Sequence, residues 1–518
     1  VLSDNTTFFT FGKDLIDEIL DPESDLNTQR LEHTVDEDSL FSFFDATEVS
    51  AFIQTQEVKP YKKSKQDTQT MVVNDPIITT SRKSEEKENF STDETITAGE
   101  NSISSKIEDV SMNEEPNYNI PDYDILVGKT SQSEQYGVLG KISVNKKTVA
   151  LDLSETNTIS LFGVQGGGKS YTIGTVSEMV LKQFPKINKL PAPLASVIFH
   201  YSESKDYEPE FTSMINPNDN NKELQKLKDE FGANPDNLSD VVLLTPKDKV
   251  TERQEQYPSI EVLPISFNSN ELNVKDWMFL FGAIGNDSVY IKQLKFIMKG
   301  MRENINLKDF RANVANSPLL SNSQKLLAEQ RIQFAEEYID DSSQLGSLIQ
   351  PGRLIIVDLR NEYIEKDEAL GLFVVMLNII SSVGVKEFNK FIVFDEAHKY
   401  MDNKDLTSSI VTAIREMRHK GVSIMIASQD PLSLPNEIIE LSSIVLLHKF
   451  NSPQWVKHVQ KSITQLGTLT PADLSSLVPG EGYLWATKST DKGIMNRPVK
   501  IFTRPRVTKH GGETIKAN

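Results

Sequence analysis

The sequence predicts an α/β protein centred on a parallel, doubly wound sheet, and three observations predict it. An apolar run, Ile159–Phe162, enters a glycine-rich turn and then a helical pattern. A second apolar run, Phe391–Phe394, ends in two acids, Asp395 and Glu396. Around them, short apolar runs alternate with stretches of helical periodicity, the signature of strands joined by crossover helices.

The first segment reads ISLFGVQGGGKS over residues 159–170 and fits G-x-x-x-x-G-K-[ST] at every position. The chemistry explains the spacing. Gly163, Val164, Gln165, Gly166, Gly167 and Gly168 form a P-loop whose glycines let backbone N–H groups turn inward around phosphates. Lys169 reaches the β- and γ-phosphates, and the Ser170 hydroxyl binds Mg2+. The helix expected over Tyr171–Phe184 points its positive end at the same phosphates and places Tyr171 at the cradle. ATP and Mg2+ are the expected ligands of residues 163–171.

Composition sets the frame. At 518 residues the chain has room for two to three domains, or one large domain with additions. It contains no cysteine, which excludes disulfides and cysteine-ligated zinc and suits a reducing, cytoplasmic setting. The seven histidines are scattered without metal-ligand spacing. The longest apolar run, Leu372–Ile380, is interrupted by Asn378 and is far shorter than the ~20 residues a membrane span needs, so no membrane association is expected. The chain opens on Val1 rather than Met, as a fragment or processed product would. Its net charge of −19 is unevenly spread: residues 1–120 carry 26 acids and 10 bases, so the remainder is nearly neutral. That balance neither supports nor forbids nucleic-acid binding.

Residues 1–118 read as an acidic, largely disordered region rich in Ser, Thr, Asn, Asp and Glu. Two aromatic–acidic stretches interrupt it, Phe8–Leu20 and Asp38–Ile53, each able to form a short amphipathic helix that docks a partner or packs back on the core. Residues 119–158 show short alternating segments with glycines between them, a small β-rich element expected as a barrel-like cap or as edge hairpins. The core is expected over 159–510. Strands are expected at Ala195–His200, Leu354–Val357, Phe391–Phe394, Ser423–Ala427 and Ser443–His448, with a hairpin-like Gly482–Thr487. Helices are expected at Glu368–Val383 and Asp402–His419, and, within 213–345, at Val274–Ile284, Val289–Glu303 and Ser323–Tyr338. Residues 511–518 are a tail.

In a P-loop protein the strand ending Asp395-Glu396 supplies the second half of the site. Asp395 would hold Mg2+ through water, and Glu396 would polarise the attacking water. The separation of 226 residues from Lys169 to Asp395 is too long for a bare mononucleotide core, so 213–345 is read as a helical insertion. Gln429 ends another core strand, where ligands sit in such sheets, and could sense the γ-phosphate or be a turn residue before Asp430-Pro431. Arg415 and Arg418 lie three apart on one helical face. They could act on a phosphate in cis, reach a neighbouring subunit's site as an arginine finger, or form a solvated basic face. Arg360 is a further finger candidate. The string Asp395-Glu-Ala-His398 invites a DEAH-box helicase reading, but only about 120 residues follow, too few for a second lobe, and the next strand ends Ala-Ser-Gln. His398 is read as a helix-start residue.

With these residues placed, residues 123–506 resemble the HerA/FtsK superfamily of hexameric P-loop ATPases, nearer to HerA. The likeness rests on the order of FGVQGGGKS, PGRLIIVDLR, FIVFDEAHKYM, REMRHKG, IMIASQDP, PGEGYLWA and NRPVKIFTRPR. It implies a RecA-like, ASCE-type fold, with Lys169, Ser170, Asp395, Glu396 and Gln429 at nucleotide and hydrolysis positions and a basic residue at Arg418. The family's acidic motif after the second strand is matched only loosely by His200-Tyr-Ser-Glu-Ser-Lys-Asp206-Tyr, which leaves Glu203 or Asp206 as its acid. The resemblance further implies a ring-forming motor that pulls double-stranded DNA through its centre and works with a nuclease, in a setting such as bacterial anti-phage defence. A second reading is a nucleotide-gated assembly or sensor subunit whose acidic region recruits a partner. A secretion or conjugation ATPase is weaker, because no membrane segment is seen. For basic residues lining a pore, Arg497–Lys509 is the nearest run, and edge-strand solubility explains it equally well.

Overall fold

A computed structural model describes residues 122–283, 288–302, 305–401 and 404–512; the side chains of 404–406 and of Arg418 lie outside the description. The segments Phe8–Leu20 and Asp38–Ile53, and all but the first two residues of the tail, also lie outside it.

The strands are β1 (Ile125–Val127), β2 (Tyr136–Ile142), β3 (Thr148–Asp152), β4 (Thr158–Phe162), β5 (Asn188–Lys189), β6 (Ala195–Ser202) and β7 (Val241–Thr245). They continue as β8 (Glu261–Pro264), β9 (Leu354–Arg360), β10 (Lys390–Phe394), β11 (Val422–Ser428), β12 (Ile444–Leu447), β13 (Glu481–Ala486) and β14 (Val499–Thr503). They form one sheet in the order β1-β3-β2-β14-β13-β12-β4-β11-β10-β6-β9-β7-β8, with β5 added to β2. From β12 to β8 every neighbouring pair is parallel. The other end, β13, β14, β2 and β3, is antiparallel.

The parallel strands are apolar runs because both of their faces are covered. Alternation assigns each residue to a layer. Phe391 and Val393 of β10 join one core with Ile173, Val176 and Met179 of the helix Lys169–Leu181. Ile392 and Phe394 join the other with Phe373 and Val374 of the helix Lys366–Ser382. The sheet is therefore wrapped on both sides, as a doubly wound fold requires.

The strand order positions the site. β4, which leads into the glycine loop, is separated from β10, which leads into the acid pair, by β11 alone. Parallel register brings Phe162 beside Ser428 and Phe394 beside Ile426, so the loops after β4, β10 and β11 emerge at one edge.

One expectation about organisation is corrected. The segment 213–345, read as helical, contains β7 and β8, which pair in parallel and extend the sheet beyond β9. The run VVLLT at Val241–Thr245 is apolar at every position but the last and buried throughout, so it carries no period that separates strand from helix. The rest of the segment is helical, including Asn221–Phe231, Val274–Leu280, Val289–Met301, Leu307–Asn316 and Asn322–Glu336. Of the two arrangements expected for the β-rich leader, its described residues take that of edge hairpins. β2 pairs with β14 and β3, so the leader continues the antiparallel end of the main sheet. Among the described residues, no helix is long and apolar enough to cross a membrane.

Candidate nucleotide site

The glycine loop is held in shape from behind by the end of β12. Val164 N donates to Lys449 O (2.9 Å), and His448 N donates to Phe162 O (2.8 Å). The His448 ring lies under the loop, accepting from Thr172 Oγ1 at Nε2 (2.9 Å) and donating to Glu481 O from Nδ1 (2.7 Å). Burial, opposed by the Glu481 hydrogen bond and reinforced by Lys169, pushes its pKa down to about 4, so the ring is neutral. Gly166 and Gly168 have φ of 71° and 104°, left-handed values that favour glycine. Gly168 caps the helix Lys169–Leu181 without a side-chain hydrogen bond, and the first intrahelical bond there runs from Thr172 N to Gly168 O. The amides before Thr172 are left for a ligand, at the positive end of the helix dipole.

Lys169 is buried, with Nζ 3.4 Å from Val164 O and 3.8 Å from Glu396 Oε1. Glu396 is 2 % exposed and adopts φ 49° and ψ 43°, a left-handed backbone that costs a non-glycine residue roughly 1–3 kcal/mol and persists where the surroundings impose it. Its Oε1 accepts from Gln429 Nε2 (2.7 Å) and from the Tyr207 hydroxyl (3.1 Å). Its Oε2 makes no hydrogen bond, although His398 Nδ1 lies 3.3 Å away. Asp395 Oδ2 lies 3.3 Å from His200 Nδ1, while its Oδ1 is buried without a partner. Lys169, Asp395, Glu396 and Gln429 thus converge at the edge where β4, β10 and β11 end.

Ser170 lies beside Glu210, the first residue of the 3-10 turn Glu210–Ile215 that follows β6. Burial, reinforced by Asp395, pushes the Glu210 carboxyl up to about 7, against the lowering influence of Arg506 and Ser170. Glu210 is therefore the acid after the second strand that reaches the site. Glu203 and Asp206, the sequence candidates, are exposed. Tyr171 keeps its backbone at the loop, but its hydroxyl donates to Glu223 Oε2 (2.7 Å) and accepts from Arg506 N (2.8 Å). Gly163, Val164, Gln165 and Gly167 lie in the loop as the motif requires.

The arginine candidates separate. Arg360 is 1 % exposed and bound to Asp358 through Nη2 (2.7 Å) and Nε (2.9 Å), so it is no finger. Arg504 and Arg506, within the basic run proposed to line a pore, are fully buried: Arg504 Nη1 donates to Glu178 Oε1 (2.5 Å) on the P-loop helix. Neither a pore nor edge solubility explains these two. Arg415 is exposed near the end of the helix Lys404–Met417. The Arg418 side chain lies outside the described residues. His398 sits in the 3-10 turn Ala397–Lys399, beside Glu396.

Sequence reasoning missed His200, Tyr207, Glu210 and His448. His200 and Tyr207 were inside a quoted motif stretch, but nothing local marks which of its polar residues turns inward. His448 ends an apolar run, and that position at a strand's carboxyl end was its one available signal. The cavity of about 460 Å3 lined by Phe279, Tyr290, Arg331 and Glu368 lies between the insertion helices and the helix Lys366–Ser382, and none of the site residues lines it. The phosphate cradle itself is an open loop.

No protein-family model matches the sequence, and no curated protein matches it. Solved structures similar to the chain include VirB4 of Thermoanaerobacter pseudethanolicus, at 12 % identity and a TM-score of 0.48, covering 73 % of this chain and 97 % of that one. Plasmid coupling protein TrwB in complex with ADP and Mg2+ aligns at 12 % identity and a TM-score of 0.43, over 74 % and 98 % of the two chains. The genome packaging NTPase B204 from Sulfolobus turreted icosahedral virus 2, in complex with AMP, aligns at 10 % identity and a TM-score of 0.30, over 67 % and 96 %.

Proposed function

We propose that this chain is a Mg2+-dependent ATPase of the HerA/FtsK kind, a ring-forming motor subunit that translocates double-stranded DNA and works with a nuclease in DNA processing or defence. The observation that carries the reading is the convergence of the glycine loop, Lys169, Asp395, Glu396 and Gln429 at one sheet edge.

The residues fit ATP with Mg2+. The loop offers free amides and positive-φ glycines, and Asp395 Oδ1 is a buried acceptor that lacks a donor. Ser170, Asp395 and, beside them, Glu210 would hold the ion together with phosphate oxygens; among the described residues no cluster of three His, Cys, Asp or Glu side chains could hold a metal unaided. Bound Mg2+ supplies neutralisation of phosphate charge. Lys169 exchanges the Val164 carbonyl and Glu396 for the β- and γ-phosphates. Glu396 is then free to orient and polarise water through Oε2 as the new P–O bond forms and the bond to ADP breaks. Gln429, held against Glu396, reports whether the γ-phosphate is present. In a ring the site would be completed by a neighbour, with the exposed Arg415, and Arg418 on the same helix by sequence, as finger candidates.

A nucleotide-gated assembly subunit is the second reading. The burial of Arg504 and Arg506 favours it, because it removes two cations from the basic run offered to DNA. Steady-state ATP hydrolysis with and without long duplex DNA separates the readings. The motor predicts turnover that rises several-fold with DNA and less so at high salt. Turnover indifferent to DNA would leave the assembly subunit.

A further inference from the structure

We propose that Tyr207 is the positioning residue that holds both acids of the hydrolytic site at once, a role that rests on the ATPase reading above. Tyr207 lies in the loop between β6 and the turn Glu210–Ile215. Its hydroxyl donates to Glu396 Oε1 (3.1 Å). Its carbonyl accepts from His200 Nε2 (2.9 Å), and its ring stacks on the His200 ring, with centroids 5.4 Å apart and planes 12° from parallel. His200 Nδ1 in turn lies 3.3 Å from Asp395 Oδ2, a hydrogen bond when the ring carries a proton on both nitrogens. Lys399 Nζ, 3.8 Å from the Tyr207 ring centroid, adds a cation–π contact that fixes the ring.

The pattern of satisfied and unsatisfied oxygens gives this arrangement its meaning. Each carboxylate has one oxygen held by the Tyr207–His200 unit, and each has its other oxygen buried without a hydrogen bond. A buried carboxylate oxygen without a donor is costly, so two facing one site point to groups that arrive with the ligand. Tyr207 thereby fixes which oxygen of Glu396 meets water and, through His200, which oxygen of Asp395 meets the metal. Burial, with the charges of Glu396 and Asp395, holds the Tyr207 hydroxyl far above the ordinary tyrosine range, so it remains a donor throughout turnover. The loop also answers the question left by the sequence: the segment after the second strand serves the site through Tyr207 and Glu210, and its exposed acids do not reach it.

Two variants separate the links. Tyr207→Phe keeps the ring, the stacking and the carbonyl, and removes only the hydroxyl from Glu396. Expected is a fall in kcat of about 10- to 100-fold, with ATP affinity and the Mg2+ concentration for half-maximal rate both within about twofold of wild type. His200→Gln breaks the link to Asp395, and the Mg2+ requirement should rise about 10-fold. Thermal unfolding of Tyr207→Phe should match wild type, so that the fall in kcat is not a loss of fold. A Tyr207→Phe protein that hydrolyses ATP at the wild-type rate overturns the proposal and leaves the ATPase reading intact. Loss of ATP binding in that variant also overturns it, by assigning Tyr207 to folding or binding. Wild-type protein without ATP turnover overturns the ATPase reading and this role with it.

Discussion

Two clusters of buried charge sit at the carboxyl ends of strands separated only by β6, and they are built in opposite ways. At the end of β9, Asp358 is saturated. Its Oδ1 accepts from Arg360 N (3.1 Å) and Nε (2.9 Å), and its Oδ2 accepts from Arg253 Nε (3.0 Å) and Arg360 Nη2 (2.7 Å). After β10, Asp395 and Glu396 each keep an oxygen without a donor, and Lys169 stands 3.8 Å from Glu396 rather than in a tight pair. Both clusters bury acids and bases at equivalent depth in the sheet. A closed cluster holds the fold, and an open one waits for a ligand. The difference lies in hydrogen-bond saturation, not in residue type.

The largest expected effect lies in the open cluster. Glu396→Gln should retain ATP binding and lose turnover by roughly 10²- to 10⁴-fold, the range for a positioned general base. Lys169→Ala should lose ATP binding itself. Equilibrium binding and steady-state hydrolysis check both, and normal turnover by either variant would remove the site assignment.

Stability is where the closed cluster should respond. Asp358→Asn strands the Arg253 and Arg360 cations and should destabilise the protein by about 3–5 kcal/mol. Asp395→Asn should change stability by less than about 1 kcal/mol while abolishing Mg2+-dependent turnover. Urea unfolding of the two variants measures the contrast directly; equal losses would erase the distinction between the clusters.

The smallest effect concerns the support beneath the loop. His448 is held at about 4, below its ordinary value of 6.5. The folded state therefore binds fewer protons there than the unfolded chain, so stability is fully present above pH 6.5 and is lost as pH falls towards 4. The contribution is about 3 kcal/mol at most. His448→Asn keeps a donor near the Glu481 carbonyl and should flatten that part of the pH dependence in unfolding measurements. A slope unchanged by the substitution would assign the acid sensitivity elsewhere, with His510, also held at about 4, the next group to change.

Legibility followed the range of the interactions. The glycine loop, Lys169 and the acid pair could be read because each is a local pattern: a turn that needs glycine, or an apolar strand stopped by acids. Arg360 and Arg504 were misread for the opposite reason. An arginine's role depends on which carboxylate it meets, and Glu178 lies 326 residues from Arg504 in the chain. Tyr207 was equally invisible, since its partner Glu396 is 189 residues away. β7 was missed because a short, fully buried strand has no period, and β8 because four residues are too few to show one among neighbouring helical signals.

By itself the sequence determined the α/β class, the phosphate loop and the strand that ends in two acids, because backbone geometry and burial impose those patterns within a dozen residues. Only the tertiary structure decided that β11 separates those two strands, that Glu210 and not Glu203 or Asp206 reaches the loop, and that His448 supports it. It also decided which buried oxygens are filled and which are left open. Those are outcomes of packing between distant segments, where desolvation makes each unpaired charge costly and so selects the partners that survive.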